Sequence, residues 1–215
     1  MAIDGPAGAG KSTIAAAVAD ALGWDYVDTG AMYRALALAV LRKGADPSDA
    51  EGASAIARDA AVEIRDGRTL LNGEDVSERI RRPEVNDAVS IVSAHGGVRS
   101  ALVSKQRNAA ARGDVVMEGR DIGSVVVPDA LLKIFLTASL EERARRRARD
   151  LGTTAPDEVA VVERALTERD HRDSSRESSP LIRAPDAKSI DTTDRSISEI
   201  VDEIVGLAKK RLNES

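Results

Sequence analysis

Gly5-Pro6-Ala7-Gly8-Ala9-Gly10-Lys11-Ser12 follows the strand-like Ala2-Ile3-Asp4 and precedes an alanine-rich stretch that closes at Leu22-Gly23, and its reading decides the fold. The octet fits GxxxxGK[ST], with the strand before it and the helix after it that the motif needs. Small residues let consecutive main-chain N–H groups close around a β-phosphate, and the helix N-terminus adds its positive end. Lys11 would reach the β- and γ-phosphate oxygens, and the Ser12 hydroxyl would sit on the Mg2+ that accompanies ATP. The nucleotide cradle is therefore expected to be Gly5, Pro6, Ala7, Gly8, Ala9, Gly10, Lys11, Ser12 and Thr13. A glycine-rich turn at a helix start can be purely structural, but lysine, hydroxyl and flanking elements together weigh against that.

Outward from the loop, the strand-loop-helix pattern repeats. Trp24 to Asp28 reads as a short strand, and Ala31 to Lys43 is apolar at helical spacing before Gly44. Asp49 to Ala60 reads as helix. Val62-Glu63-Ile64-Arg65 and Thr69-Leu70-Leu71, separated by Asp66-Gly67, then form a hairpin signature, with a second turn at Asn72-Gly73. Such a switch to antiparallel pairing inside an alternating chain predicts an inserted lobe. Helices over Glu84 to Ala94 and Val98 to Arg112 lead to a core strand, Val115-Val116-Met117, that ends in the polar Glu118-Gly119-Arg120-Asp121. A strand over Lys133 to Leu136 precedes the capping box Ser139-Leu140-Glu141-Glu142 and an arginine-loaded helix. Gly152 to Pro156 is a break, a charged helix runs from Asp157 toward Arg172, and Ser174 to Pro185 reads as loop. Ser189-Ile190-Asp191 is a last strand, before a final helix capped by Ser196 and Glu199.

A chain of 215 residues suits one domain with insertions. Hydrophobic residues are 42% but aromatics only 2%, so Ala, Val, Leu and Ile must build the core. With no cysteine and only His95 and His171, a disulfide framework, a thiolate metal site and a histidine-rich cage are excluded, and any metal falls to oxygen ligands. Both histidines read as surface residues, since phosphoryl transfer needs no imidazole base. Neither a basic leader nor an apolar run of the ~20 residues a membrane span needs is present, which predicts a soluble cytoplasmic protein. A net charge of −5 argues against general affinity for nucleic acid or anionic membranes. Arginine far outnumbers lysine; a GC-rich genome would give the same bias, so only the positions of the arginines carry meaning.

Taken in order, Ile3-Asp4-Gly5-Pro6 with the phosphate loop, Asp28-Thr29-Gly30-Ala31-Met32-Tyr33-Arg34, the Leu71-Asn72-Gly73-Glu74-Asp75-Val76-Ser77 insert, Gly119-Arg120-Asp121-Ile122-Gly123, Lys133-Ile134-Phe135-Leu136 and Glu168-Arg169-Asp170 through Arg176 resemble the bacterial cytidylate kinases, within the nucleoside monophosphate kinase family. The resemblance covers nearly the whole chain. It implies an α/β fold with a parallel five-stranded sheet wrapped by helices, strand order 2-3-1-4-5, an inserted α+β lobe for the monophosphate and a short helical lid. Residues 1–28, 96–142 and 176–215 would form the core, 29–95 the lobe and 143–175 the lid. The implied reaction is transfer of the ATP γ-phosphoryl group to CMP or dCMP, by a protein expected to be monomeric.

By the same resemblance Thr29, Arg34, Arg120 and Arg176 would hold the acceptor phosphate, which suits a dianion that wants several forked donors. Ser90, Arg99 and Asp121 would read cytosine, which needs donors at O2 and N3 and an acceptor at N4. A site with such committed partners rejects uracil, whose pattern is inverted at N3 and position 4. Arg169 and Asp173 would contact the ribose, leaving CMP and dCMP undecided. Arg143, Arg146 and Arg147 would neutralise charge on the transferring phosphoryl group, alongside Lys11. Plainer alternatives stand beside these: Arg34 on a helix face with acidic partners, an Arg99–Asp121 ion pair, and a solvated helix with Glu141–Arg145 and Glu142–Arg146 pairs at i,i+4 spacing. Glu118 stands where related kinases often carry Asp, leaving its part in magnesium placement open. A kinase for UMP or another small acceptor and a non-catalytic nucleotide-binding switch are the rival functions. The switch would call for a guanine-reading NKxD, which the chain lacks; RNA binding would call for aromatic stacking platforms, which are scarce.

Overall fold

The computed structural model describes residues 1–65 and 67–214. Asp66, the first residue of the expected hairpin turn, lies outside the described residues. The chain divides into two compact units, Met1–Tyr26 with Asp114–Ser215, and Val27–Gly113.

The first unit is built on a five-stranded sheet. Its strands are β1 (Ala2–Asp4), β2 (Asp25–Asp28), which runs on into the second unit, β6 (Val115–Gly119), β7 (Lys133–Thr137) and β8 (Lys188–Asp191), in the order β2-β6-β1-β7-β8. Numbered along the chain as core strands, this is 2-3-1-4-5, the order that the family resemblance implies. β1 pairs parallel to β6 on one side, with Asp4 opposite Gly119, and to β7 on the other, with Asp4 opposite Phe135. Asp4 therefore ends the central strand, at the carboxyl edge where ligands of open parallel sheets bind.

Helix α1 (Lys11–Leu22) closes at Gly23, and α8 (Ile197–Glu214) lies beside it. Their apolar faces, Ile14, Val18, Ile200 and Ile204, bury against Ile3, Ile134, Leu136 and Ile190 of the sheet. At roughly 25 cal/mol per Å2 of apolar surface, each such aliphatic side chain contributes about 2 kcal/mol against the entropy of ordering it. Ser196 and Glu199 form the reciprocal cap expected at the start of α8, with Ser196 N–H donating to Glu199 at 2.9 Å and Glu199 N–H to Ser196 Oγ at 3.3 Å.

Helices α6 (Leu140–Asp150) and α7 (Pro156–Ser175) pack together through Leu140, Ala144, Val159, Val162 and Leu166, with Ala7 of the phosphate loop in the same cluster. The helix α7 continues through Ser174 and Ser175, read from sequence as the start of a loop. Their hydroxyls donate back to the carbonyls of Asp170 and His171 at 2.8 and 2.7 Å and so serve the helix they were expected to end.

The second unit contains α2 (Thr29–Arg42), α3 (Ala50–Asp59), a three-stranded antiparallel sheet of β3 (Val62–Arg65), β4 (Arg68–Leu71) and β5 (Glu74–Asp75), then α4 (Pro83–Val92) and α5 (Gly96–Ala110). The Asn72-Gly73 turn has positive φ at both residues, 52° and 82°, as a tight hairpin demands. Gly97 lets α5 approach α3 closely: a Cβ there would stand 2.3 Å from Ser54 Oγ. Lys105 of α5 donates to the carbonyls of Ala57 and Ala60, closing the end of α3.

Candidate active site

The phosphate loop hangs between the ends of β1 and α1. Gly5 adopts φ 150°, and a Cβ there would lie 2.2 Å from the carbonyl oxygen of Leu136, so no other residue fits beside β7. Lys11 is buried, and its Nζ donates to the carbonyl of Pro6 at 2.7 Å, which folds the side chain over the loop. Burial lowers the pKa of its ammonium. The positive charges of Arg120 and Arg169 lower it further, and Glu118 and Asp4 offset part of that. Ser12 and Thr13 stand exposed in the first turn of α1. Both main-chain groups of Ala7 are engaged by the α6–α7 pair: its N–H lies 3.4 Å from Asp170, and its carbonyl accepts from Arg143 at 3.0 Å.

At the end of β6, Glu118 is buried and accepts from the Tyr26 hydroxyl at 3.0 Å. Arg120 donates from Nε to Asp173 at 2.9 Å, and Arg176 lies 3.5 Å from the other oxygen of the same carboxylate. Burial works to raise the pKa of Asp173, but Arg120, Arg169 and Arg176 overcome it and hold the carboxyl below its ordinary value. Asp121 is buried next to Arg120. The first unit thus gathers Lys11, Arg120, Arg169, Asp173 and Arg176 into one electrostatically linked set. Three arginines act on the buried Asp173 carboxylate, and two of them also act on Lys11, so cationic donors of the kind that bind anions are gathered there.

The arginines of α6 differ in what holds them. Arg143 is buried and donates to Ala7, Ala138 and Asp170. Arg146 donates to Glu142 at 2.8 Å and through two nitrogens to Thr192, at 2.9 and 2.7 Å. The half-buried Arg147 has no side-chain hydrogen bond or ion pair among the described residues. The i,i+4 pairs Glu141–Arg145 and Glu142–Arg146 are both formed.

The second unit carries the remaining expected residues. Thr29 is buried at the head of α2, where Asp28 caps the helix by accepting from Ala31 N–H at 2.8 Å. Arg34 on α2 is half-buried, 3.4 Å from Asn86 of α4, and Ser90 is half-buried on α4. Arg99 on α5 is buried, with Nη1 donating to the carbonyl of Ser93 at 3.3 Å and its guanidinium 5.3 Å from the centre of the Tyr33 ring. His95, expected at the surface, is half-buried. Its Nε2 sits 2.8 Å from the Pro47 carbonyl, so it carries the proton there and ties down a loop.

Three residues of the site were not singled out from sequence: Asp4, Asp170 and Thr192. Asp4 accepts two main-chain N–H groups, from Ile122 and Gly123. Thr192 is fully buried, with its Oγ1 3.3 Å from the Ala9 carbonyl and 3.0 Å from that of Thr137. Asp4 and Asp170 had a signal, their places in Ile3-Asp4-Gly5-Pro6 and Glu168-Arg169-Asp170; Thr192 had none.

No group of three or more His, Asp or Glu able to cage a metal occurs among the described residues. The Ser12 hydroxyl and the Glu118 carboxylate are oxygen donors of the kind Mg2+ takes when it keeps several waters and binds phosphate oxygens. Among the described residues no helix is long and apolar enough to cross a membrane.

A model of the cytidylate kinase family matches residues 1–210. The chain is 52% identical over 211 residues to a cytidylate kinase of Desulfitobacterium hafniense, covering 96% of this chain and 91% of that protein. It is 47% identical over 221 residues to a bifunctional pantoate ligase/cytidylate kinase of Parasynechococcus marenigrum, covering all of this chain and 44% of that longer protein. Among solved structures, a gluconokinase from Sinorhizobium meliloti 1021 shares the fold, with a TM-score of 0.50 at 16% identity over 100% of this chain and 95% of the other.

Proposed function

We infer that this chain, which belongs to the cytidylate kinase family, transfers the γ-phosphoryl group of ATP to CMP or dCMP, giving ADP and CDP or dCDP. The observation that carries the reading is the crowding of Arg120, Arg169 and Arg176 around Asp173 with Lys11 within electrostatic reach. Such a group of forked donors, set beside a phosphate loop, suits the phosphates of a nucleotide pair.

ATP would lie with its β-phosphate in the Gly5–Thr13 loop. Lys11 would leave the Pro6 carbonyl and bridge the β and γ oxygens. Mg2+ entering with the nucleotide would be held by the Ser12 hydroxyl and, through water, by Glu118, and would draw charge from the β,γ oxygens. Thr29, Arg34, Arg120 and Arg176 are the residues that would bind the acceptor phosphate. An oxygen of that phosphate forms the new bond to the γ-phosphorus as the bond to the β,γ-bridging oxygen breaks. The attacking oxygen is already anionic, so no base is needed, and neither His95 nor His171 has a part.

Ser90, Arg99 and Asp121 would recognise cytosine, and Arg169 and Asp173 the ribose. Asp173 in addition holds Arg120 and Arg176 close before substrate arrives. Arg147 is the arginine of α6 best able to turn to the transferring group, because Arg143 and Arg146 are committed to the loop and to Thr192. A panel of CMP, dCMP, UMP and AMP with an ADP-release assay tests the reading: turnover should be highest with CMP or dCMP. Equal or faster turnover with UMP or AMP would refute it.

A further inference from the structure

We propose that Asp4 is a positioning residue for acceptor recognition: it fastens the turn after Asp121 to the end of β1, and so sets where Arg120 and Asp121 stand beside the phosphate loop. The inference rests on the functional reading above, in which Arg120 and Asp121 contact the acceptor.

The segment Ile122–Val126 is a single π-helical turn, closed by bonds from Val126 N–H to Asp121 O at 3.1 Å and from Val127 N–H to Ile122 O at 2.7 Å. Isolated π-turns are rare and concentrate at functional sites. The wide turn leaves its first N–H groups without partners inside the turn. Asp4 supplies both: Oδ1 accepts from Ile122 and Oδ2 from Gly123, each at 2.8 Å. These residues are 118 and 119 positions from Asp4 along the chain, so the two bonds carry the joining of β1 and β6 past Gly119 and tie the turn that follows Arg120-Asp121 to the strand that opens the phosphate loop.

Gly123 completes the fit. A Cβ there would lie 3.2 Å from the stem of Lys133 and 3.4 Å from Asp4 Oδ2, so even a methyl group would have to push these neighbours back by a few tenths of an ångström. Lys133 is itself fixed by Asp186, which its Nζ reaches at 2.8 Å.

The chemistry requires a carboxylate. Each N–H donor here has its own carboxylate oxygen; asparagine offers one oxygen and would set its NH2 against the other donor. An apolar residue would suit a central strand better, since Asp4 is buried and its ionisation costs stability there. What that cost secures is the position of the turn.

The test is steady-state kinetics on full-length wild type, Asp4→Asn and Gly123→Ala, with CMP and ATP varied in turn, and circular dichroism as the check of folding. Asp4→Asn should raise KM for CMP by about tenfold or more while KM for ATP moves by less than about threefold. Gly123→Ala, which presses on the turn from its other side, should shift KM in the same direction and stands in if Asp4→Asn does not fold. Asp4→Asn with a wild-type KM for CMP, or with both KM values raised equally, would overturn the inference and leave the functional reading intact. A wild type that cannot phosphorylate CMP would sink the reading and this inference together.

Discussion

Arg143 donates from Nη1 to the main-chain carbonyl of Ala7 at 3.0 Å, and Asp170 accepts from both the Ala7 N–H and Arg143. The two helices beyond β7 are thereby fastened to the phosphate loop at one residue. Arg143→Ala should leave Asp170 without its cation and cost about 2 kcal/mol of stability. It should also raise KM for ATP more than KM for CMP. Arg147→Ala should instead lower kcat by roughly a hundredfold with unchanged stability, as expected for a group that acts in the transition state. Urea titration and kinetics on both variants separate the two roles, and an Arg147→Ala variant with wild-type kcat would remove it from the reaction.

Gly5→Ala places a methyl group where only 2.2 Å separates it from the Leu136 carbonyl. Since that atom is backbone in β7, the loop must move. ATP affinity, measured by calorimetry, should fall by at least about tenfold. Retained affinity would mean that the loop tolerates a shift of its first residue.

Lys11 has a depressed pKa because it is buried and faces Arg120 and Arg169. Bound triphosphate supplies the missing negative charge and raises it, so ATP binding should take up protons at mildly alkaline pH. Calorimetry in buffers of different ionisation enthalpy reads this directly. Lys11→Ala should abolish both the uptake and phosphoryl transfer; uptake persisting in the variant would assign the proton elsewhere.

If Asp121 accepts from the exocyclic amine of cytosine as proposed, Asp121→Ala should raise KM for CMP steeply, by about a hundredfold, and leave ATP binding nearly intact. Wild-type kinetics with CMP in this variant would show that Asp121 does not read the base.

Asp4 has its pKa pushed up to about 6, by burial first and by the charge of Asp121 in addition, against the lowering effect of its two N–H bonds and Lys11. The folded state therefore holds a proton between about pH 4 and pH 6 that the unfolded chain has released. The contribution of this group to stability falls as pH rises through that window, by about 3 kcal/mol at most, and stays low above it. Asp4→Asn has no such term, so its Tm relative to wild type should rise between pH 4 and pH 7. A Tm difference that is flat with pH would place the shift elsewhere.

The local grammar of this chain is legible in its sequence. Phosphate loop, hairpin turns and helix caps each depend on residues within a few positions of one another, and the structure forms them where the spacing puts them: Ser139 caps α6, Ser196 and Glu199 cap α8, and Asn72-Gly73 turns between β4 and β5. The strand order followed from resemblance over the whole chain. What the tertiary structure alone decided is how side chains far apart in sequence meet. Asp4 holds the turn after Asp121, Arg143 and Asp170 hold Ala7, and Thr192 receives Arg146 beside the loop. No period or spacing announces such bonds, because they are set by the order in which parallel strands stack and by which carboxyl ends that order makes neighbours.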